Sequence, residues 1–340
     1  MILVVLRAGA SYDSVAAHPA PPSLEAEYPR LPLADQLFAL RDEFRKASAI
    51  YAEVQTVLPR LPPRASGSNV EEVLAALASE VERLPERKKQ LLALRFYITR
   101  VIRDSENKWC DRNHGELNHA TLFDLLDLYR GTEEVCVVTF NYDTLVERTL
   151  PKRLGPRPDF GALTDGRNGY RLFKLHGSIT WNRILAPGIQ EGRDPHDLLA
   201  RYAQIQITDK FRMVESQRPE AVFIDGLHFI PAIAVPVANK AEFECPAGHV
   251  EVLNELLPST SRLIVIGWRA GEEHFLNLLK NRVKESTPML ILNGREEDGK
   301  ATRDRLVRIG LQGETPSMSF GFTTGLVSGY LKRWLSDEIH

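Results

Sequence analysis

Short apolar runs that end abruptly in polar or small residues recur along the chain and predict buried parallel strands. These runs occupy residues 2–6, 135–139, 171–175, 263–267 and 289–294. They are rich in β-branched and aliphatic side chains, as expected of strands buried on both faces. Because strands and helical patterns alternate in the second half, we predict a doubly wound, mostly parallel α/β sheet of Rossmann-like type.

The long stretch between the first two predicted strands has a helical pattern. Apolar side chains recur every three or four positions over residues 33–58, and further helices are predicted at 70–84, 87–109 and 119–130. The signals that bound these helices are Pro59, Pro62, Pro63, Gly67, the caps Ser68, Asn69 and Asn118, and the stop Gly131. Residues 33–130 are therefore predicted to form a helical insertion lobe.

The second half is predicted to complete one domain that spans residues 1–340. Residues 184–220 are polar and irregular, which indicates a second insertion. The other predicted elements are helices at 144–150 (stopped by Pro151), 272–284, 299–309 and 322–336, and short strands at 221–224 and 233–235.

Composition narrows the functional classes. The 340 residues carry 43 basic and 45 acidic side chains, a formal charge of -2, so nothing favours direct binding to nucleic acid or to a membrane surface. No apolar run approaches the roughly 20 residues of a membrane span, and the amino terminus lacks the cationic flank of a signal peptide. With three scattered cysteines and no disulfide framework, we expect a cytoplasmic protein.

Polar side chains follow two of the predicted strands at the points where the strands end. Asn141 and Asp143 come after one strand, and His176 comes after the next. In isolation an Asn-x-Asp is more often a turn or a helix cap, and a histidine before glycine is usually structural. Since the carboxyl ends of parallel strands share one crevice, their co-occurrence predicts that these three side chains converge on a ligand.

A small-residue turn follows the first strand, in the sequence Arg7-Ala8-Gly9-Ala10-Ser11. Such a turn brings backbone N–H groups and a helix start close to a pyrophosphate. Arg7 occupies the place of the first glycine of a Gly-x-Gly-x-x-Gly motif, so the turn alone is a weak signal. A proline-rich loop over residues 18–32, with Arg30 near its end, is long enough to be a functional lid.

These segments together resemble sirtuins, and most closely the bacterial sirtuin-like branch whose members act as NAD glycohydrolases in anti-phage defence. The segments that carry the resemblance, in order, are Ala8-Gly9-Ala10-Ser11, Arg30-Leu31-Pro32-Leu33, Thr139-Phe140-Asn141-Tyr142-Asp143, Leu175-His176-Gly177-Ser178, Ile266-Gly267-Trp268 and Leu292-Asn293. Their order along residues 2–293 makes the set more specific than any single segment.

The resemblance implies NAD+ as substrate and cleavage of its nicotinamide–ribose bond. Nicotinamide leaves as a neutral group from a cationic glycoside, so the site must orient the sugar, support an oxocarbenium-like state and place a water. His176, Asn141 and Asp143 are the predicted catalytic residues. The predicted NAD-binding residues are Ala8, Gly9, Ala10, Ser11, Arg30, Gly267, Trp268 and Asn293.

Two departures from the sirtuin pattern matter. Arg7 stands where sirtuins usually have glycine, and a cation there either binds a phosphate or fills the space of the dinucleotide. Sirtuin deacylases also carry two Cys-x-x-Cys pairs after the His-Gly strand, whereas residues 184–240 contain no cysteine. We therefore expect no structural zinc, and a deacylase becomes less favoured. An alternative zinc set, Cys110-x-x-x-His114 with Cys245-x-x-x-His249, is a weak signal.

Three functional hypotheses follow. The first is an NAD-depleting defence effector, the second an NAD-dependent deacylase or ADP-ribosyltransferase, and the third a silenced nucleotide-binding subunit in which Arg7 closes the cofactor turn. Because a constitutive NAD hydrolase would kill its host, we expect control by homo-oligomerisation or by an activating partner protein. The exposed helices of residues 33–130 are the predicted surface for that assembly.

Overall fold

A computed structural model describes residues 1–19, 30–39, 41–61, 70–155, 158–189, 192–214, 222–235, 243–313 and 321–338. Within these residues nine strands are present: β1 Ile2–Leu6, β2 Val135–Thr139, β3 Tyr170–Lys174, β4 Gly177–Leu185, β5 Ile207–Met213, β6 Phe223–Ile224, β7 Leu227–Ile233, β8 Arg262–Ile266 and β9 Met289–Leu292.

The α-helices of the described residues are α1 Ala8–Tyr12, α2 Asp42–Ile50, α3 Ala52–Val57, α4 Val70–Ser79, α5 Glu86–Arg112, α6 Asn118–Tyr129, α7 Leu145–Thr149, α8 Pro151–Leu154, α9 Phe160–Thr164, α10 Pro195–Ala200, α11 Ala247–Leu256, α12 Glu273–Arg282, α13 Glu296–Arg308, α14 Phe322–Val327 and α15 Tyr330–Leu335. Short 3₁₀ turns lie at Ala34–Gln36, Leu58–Arg60, Arg167–Gly169, Tyr202–Gln204 and Leu257–Ser259.

Five of the strands form a parallel sheet in the order β3-β2-β1-β8-β9. All five residues of β1 and of β2 are buried, which explains why both strands are apolar except for Thr139 at the end of β2. The order reverses at β1, so right-handed crossovers on its two sides wind helices over opposite faces. The predicted parallel α/β fold is confirmed.

The chain divides into two compact units. Unit 1 comprises residues 1–31, 106–175 and 247–340, and it contains the whole parallel sheet. Unit 2 comprises residues 32–105 and 176–246, and it contains the second sheet. One of the boundaries between the units falls inside a helix, in α5 after Ser105.

The second sheet is antiparallel, with the order β5-β4-β7-β6. The sequence predicted residues 184–220 to be irregular, yet they include the end of β4, α10 and β5. β5 is an edge strand whose residues are exposed or half-buried and mostly polar. An edge strand of this kind carries charged side chains in place of an apolar run, which is why the hydrophobic pattern missed it.

Helices fill the described sequence between β1 and β2, as predicted, but several bounds differ. The helix expected over residues 33–58 is split, because Tyr51 has extended backbone angles (φ -111°, ψ 93°) and buries its ring 6.1 Å from that of Phe96. Pro151 begins α8 where we expected it only to stop a helix, since proline needs no N–H partner in a first turn. Asn118 is the first residue of α6 and donates to Asp13 and Thr323 instead of capping the helix.

Some predictions fall outside the described residues. These are the core of the predicted lid at residues 20–29, the caps Ser68 and Asn69, and the start of the strand predicted at Ala221. Within the described part of the chain, none of the helices combines the length and apolarity that crossing a bilayer would require.

Candidate active site in unit 1

The parallel strands end in register at one edge of the sheet. Leu6 of β1 is paired with Thr139 of β2 and with Ile266 of β8. Backbone bonding continues one residue further, because the Phe140 N–H donates to the Leu6 carbonyl (3.1 Å) and the Gly267 N–H to the Leu292 carbonyl (2.9 Å). The residues that follow these strands therefore lie at one common edge of the sheet. Ligands of open α/β sheets bind at this edge.

A buried polar trio joins the ends of β1 and β2. The Ser11 hydroxyl donates to Asp143 Oδ2 at 2.7 Å, and Asn141 Nδ2 donates to the Ser11 hydroxyl at 2.9 Å. The three side chains are 2–6% exposed. The structure thus brings the Asn141 amide and the Asp143 carboxylate together with the Ser11 hydroxyl, which lies about 130 residues away in sequence.

The hydrogen bonds of this trio orient the Asn141 amide. Its nitrogen points to Ser11, and its Oδ1 accepts no hydrogen bond from the described residues. The Asp143 carboxylate is held at both oxygens, by Ser11 and by the Leu145 N–H at 3.2 Å. An acceptor oxygen fixed beside a fixed carboxylate is suited to hold a hydroxyl-bearing ligand or a water.

Two turns approach each other backbone to backbone beside the trio. A methyl group built on Gly9 would lie 2.7 Å from Gly267 Cα, and one on Gly267 would lie 2.3 Å from the Ala10 nitrogen. Gly267 also has a φ of +63°, which side chains rarely adopt. Only glycine fits at both positions, so the turns after β1 and β8 form one close-packed floor.

The turn after β1 enters a single short helix, α1. Ala8 begins this helix, and the Ala10 N–H donates to the Arg7 carbonyl at 2.7 Å. The Ala10 N–H is therefore already hydrogen-bonded within the turn in this structure. The predicted contact of Ala8, Gly9 and Ala10 with a pyrophosphate stays a prediction.

Arg7 forms an ion pair across to the turn after β8. Its guanidinium contacts the Glu272 carboxylate, and the Trp268 indole N–H donates to the same carboxylate. The two charged side chains are 22% and 10% exposed. Glu272 therefore partly neutralises the cation that replaces the expected glycine.

Trp268 and Asn293 are both buried at this edge. The Trp268 ring stacks on Phe140, with centroids 5.8 Å apart and planes 21° from parallel. Asn293 Nδ2 donates to the Trp268 carbonyl (3.2 Å) and to the Thr302 hydroxyl (3.0 Å). Both residues shape the strand ends, and their predicted contact with a dinucleotide stays a prediction.

Arg30 is 1% exposed and organises the chain after α1. Its guanidinium donates to the carbonyls of Tyr12 (2.9 Å), His18 (2.7 Å) and Pro19 (2.8 Å). It also lies 5.0 Å from the centre of the Trp109 ring, within cation–π range. Three carbonyl acceptors give Arg30 a structural role, and its predicted role toward a phosphate is not tested by this geometry.

His176 is the first residue of the second segment of unit 2 and is 4% exposed. Its carbonyl accepts a 2.9 Å bond from the Ala234 N–H, where β4 and β7 begin to pair. The next residue, Gly177, has a φ of +80°, and a methyl group there would lie 1.9 Å from the Ala232 carbonyl oxygen. Strand pairing thus explains the glycine of the His-Gly sequence, whereas the predicted approach of His176 to Asn141 stays a prediction.

Three charged residues that support the trio were missed from the sequence. Glu106 of α5 accepts from the Thr144 N–H (2.7 Å) and from Arg148 (2.6 Å), which fixes the start of α7. Lys174 at the end of β3 pairs with Glu147 of α7 at 2.7 Å. The sequence signal for this ion pair was a lysine inside the apolar run that precedes His176, because a buried lysine needs a partner of opposite charge.

The described residues contain no group of three or more histidine, cysteine or acidic side chains placed to hold a metal ion. Burial raises the pKa of Cys110 to about 11 and that of Cys245 to about 12. The His249 imidazole donates to the Phe160 carbonyl at 3.0 Å. Burial accounts for Cys110 and Cys245 and a hydrogen bond accounts for His249, whereas His114 is exposed.

No protein-family model matches the sequence, and no curated protein matches it. Among solved structures, a Sir2 homologue in complex with NAD is 12% identical, covers 99% of this chain and 90% of that one, and has a TM-score of 0.44. Sir2Af2 bound to a myristoylated histone peptide is 15% identical over 79% of this chain and 88% of that one, with a TM-score of 0.37. The fold assignment rests on strand order and register.

Proposed function

We propose that the chain is a sirtuin-like NAD+ glycohydrolase that cleaves the nicotinamide–ribose bond. The observation that carries the proposal is the Ser11–Asn141–Asp143 trio at the carboxyl ends of β1 and β2. It supports the reading because ligands of open α/β sheets bind where the strand order reverses, which here is at β1. The ordered sirtuin-like segments of the sequence supply the substrate class.

In the proposed reaction the departing nicotinamide is neutral, so the chain supplies no acid to it. Asn141 Oδ1 accepts from the ribose or from the attacking water, and the Asp143 carboxylate adds negative potential near the developing oxocarbenium ion. His176 takes the proton of the water or of a ribose hydroxyl. The floor of Gly9 and Gly267 lets the dinucleotide approach the backbone.

Such an enzyme would act as an NAD-depleting effector of anti-phage defence in the cytoplasm. Because unchecked hydrolysis of NAD+ is lethal, its activity would depend on self-assembly or on an activating partner protein. Expression in a bacterial host tests the cellular part of the proposal: NAD+ should fall in infected cells that carry the active chain and not in cells that carry Asn141→Ala.

The enzymatic part is tested by following free nicotinamide from NAD+, with and without an acylated peptide. We expect hydrolysis without peptide, and its loss by at least about 100-fold in Asn141→Ala and His176→Ala, as when one of a set of cooperating catalytic groups is removed. The double variant should be no slower than either single variant, because residues that act as a unit are not additive.

The controls are Asn281→Ala and His196→Ala, whose side chains are exposed on α12 and α10. Both should keep the wild-type rate. Retained turnover in Asn141→Ala or His176→Ala would remove that residue from the reaction, and turnover that requires the acylated peptide would favour the deacylase or transferase alternative.

The contact between Arg7 and Glu272 favours a second candidate, a catalytically silenced nucleotide-binding subunit. In that case the ion pair holds a bulky side chain in the turn where a dinucleotide would lie. Calorimetric titration with NAD+ of the wild type, Arg7→Gly and Arg7→Lys separates the two candidates. A gain of binding or turnover in Arg7→Gly identifies the present chain as silenced. A loss of binding in Arg7→Gly that is partly restored in Arg7→Lys, which keeps the positive charge, identifies Arg7 as a phosphate ligand.

A further inference from the structure

Lys174 is a fully buried cation behind the candidate site. It is the last residue of β3 and is 0% exposed. Its ammonium group pairs with Glu147 at 2.7 Å and also donates to the main-chain carbonyl of Asp143. Lysine is almost never fully buried without such partners, because an unpaired buried charge is strongly unfavourable.

The two partners of Lys174 lie on either side of the start of α7. Asp143 precedes the helix by two residues, and Glu147 lies in its first turn. The ammonium group therefore ties this turn to the end of β3. The carboxylate that the turn presents is the one that accepts from Ser11 and from the Leu145 N–H.

We propose that Lys174, paired with Glu147, is a positioning residue that holds the Asp143 main chain so that the Asp143 carboxylate stays aligned with Ser11 and Asn141. The placement of the trio is local to unit 1, and only its consequence for turnover rests on the proposed function. A misplacement of about 1 Å in a catalytic group lowers a rate by roughly 100-fold, so a positioning contact of this kind matters for catalysis.

A second anchor allows the contribution of Lys174 to be measured in a folded protein. Glu106 accepts from the Thr144 N–H and from Arg148, independently of Lys174. The start of α7 is therefore still attached to α5 when Lys174 is replaced. What is lost is the contact that fixes Asp143 itself.

The informative variant removes both charges of the Lys174–Glu147 pair. Lys174→Met alone leaves the half-buried Glu147 carboxylate without its cation, and unfolding of that variant would not separate stability from positioning. In the double variant Lys174→Met/Glu147→Gln neither residue carries a charge that lacks a partner, and the charge of Asp143 is unchanged. Lys152→Met, an exposed lysine on α8, is the matched control.

Amide hydrogen exchange measured by NMR tests the positioning without any substrate. In the double variant we expect the Leu145 amide, which donates to Asp143, to exchange at least about tenfold faster, while the urea midpoint stays near that of the wild type. In Lys152→Met both should be unchanged. Wild-type protection of Leu145 in a folded double variant would overturn the proposal.

The kinetic arm uses NAD+ with the same proteins. We expect kcat of the double variant to fall about 10- to 100-fold with a smaller change in KM. The turns at Gly9 and Gly267 are unchanged in this variant, and only the position of the Asp143 carboxylate is disturbed. Faster exchange of the Leu145 amide with an unchanged kcat would support the positioning by Lys174 and remove Asp143 from the proposed reaction. If the wild type does not hydrolyse NAD+, the proposed function fails, while the exchange measurement still decides the role of Lys174.

Discussion

At the scale of single residues, His119 has no hydrogen-bonding partner in the described structure. The side chain lies on α6, is fully buried and packs edge-on against Phe322, with ring centres 5.3 Å apart. Burial lowers the pKa of His119 from 6.5 to about 3. The imidazole is therefore neutral in the folded chain at any pH near neutrality.

His119 should make the protein acid-sensitive. Since its pKa is lower in the folded than in the unfolded chain, the unfolded chain binds more protons between pH 6.5 and about 3, and stability falls as the pH drops through that range. At pH 5 the loss should be roughly 2 kcal/mol relative to neutral pH. Urea unfolding at pH 7.5 and 5 measures it.

The comparison variant is His119→Leu, which keeps an apolar contact with Phe322 and cannot titrate. Its loss of stability between the two pH values should be smaller than that of the wild type by the same roughly 2 kcal/mol. His196→Gln, at an exposed position, should behave like the wild type. An identical pH dependence in His119→Leu would show that His119 does not contribute.

Residue-scale prediction from the sequence rested on polar side chains that follow a strand end. Asn141 and Asp143 were selected for that reason and Ser11 as part of the turn after β1, and the three form one hydrogen-bonded trio. Their roles toward NAD+, and the approach of His176, stay predictions. Lys174 and Glu106 were not selected. Their roles depend on partners from other elements, and neither a strand pattern nor a helix pattern specifies which side chain a buried charge will meet.

At the scale of elements, the turns after β1 and β8 depend on close backbone contact. A methyl group at Gly9 would meet the Gly267 backbone at 2.7 Å, and neither turn can move without shifting a strand end. Gly9→Ala should therefore destabilise the protein by about 1–3 kcal/mol, as overpacking typically does. Thermal or urea unfolding measures the change.

The paired substitution is Gly248→Ala in α11, where the added methyl group meets nothing within 4 Å. There alanine should stabilise by about 0.5–1 kcal/mol, since glycine is unfavourable inside a helix. The two glycine-to-alanine changes should thus have opposite signs. A neutral or stabilising Gly9→Ala would refute the close approach of the two turns.

Element prediction was accurate for buried strands and poor for the second sheet. The predicted bounds of β1 and β2 match the structure, because five consecutive buried residues, all apolar except Thr139 at the end of β2, leave no competing pattern. β5 was not predicted, since its sequence Ile-Thr-Asp-Lys-Phe-Arg-Met is mostly exposed or half-buried. Its strand conformation comes from pairing with β4, in which the paired residues are 22 to 32 positions apart in sequence.

At the scale of the whole molecule, the proposed lethality of NAD+ hydrolysis predicts that activity depends on assembly. We expect nicotinamide release per chain to rise with protein concentration or on addition of a partner, in parallel with the mass measured by light scattering. A monodisperse monomer with full activity at low concentration would contradict this form of control.

The sequence by itself determined the parallel sheet and the residues at its strand ends, because buried strands must be apolar and the breaks in them are visible as soon as they occur. Only the tertiary structure decided the division into two units, the antiparallel sheet and the partners of Arg7, Arg30 and Lys174. Those features arise from contacts between distant segments. A local pattern records how strongly a residue tends to be buried, whereas the partner it meets there depends on how the segments pack.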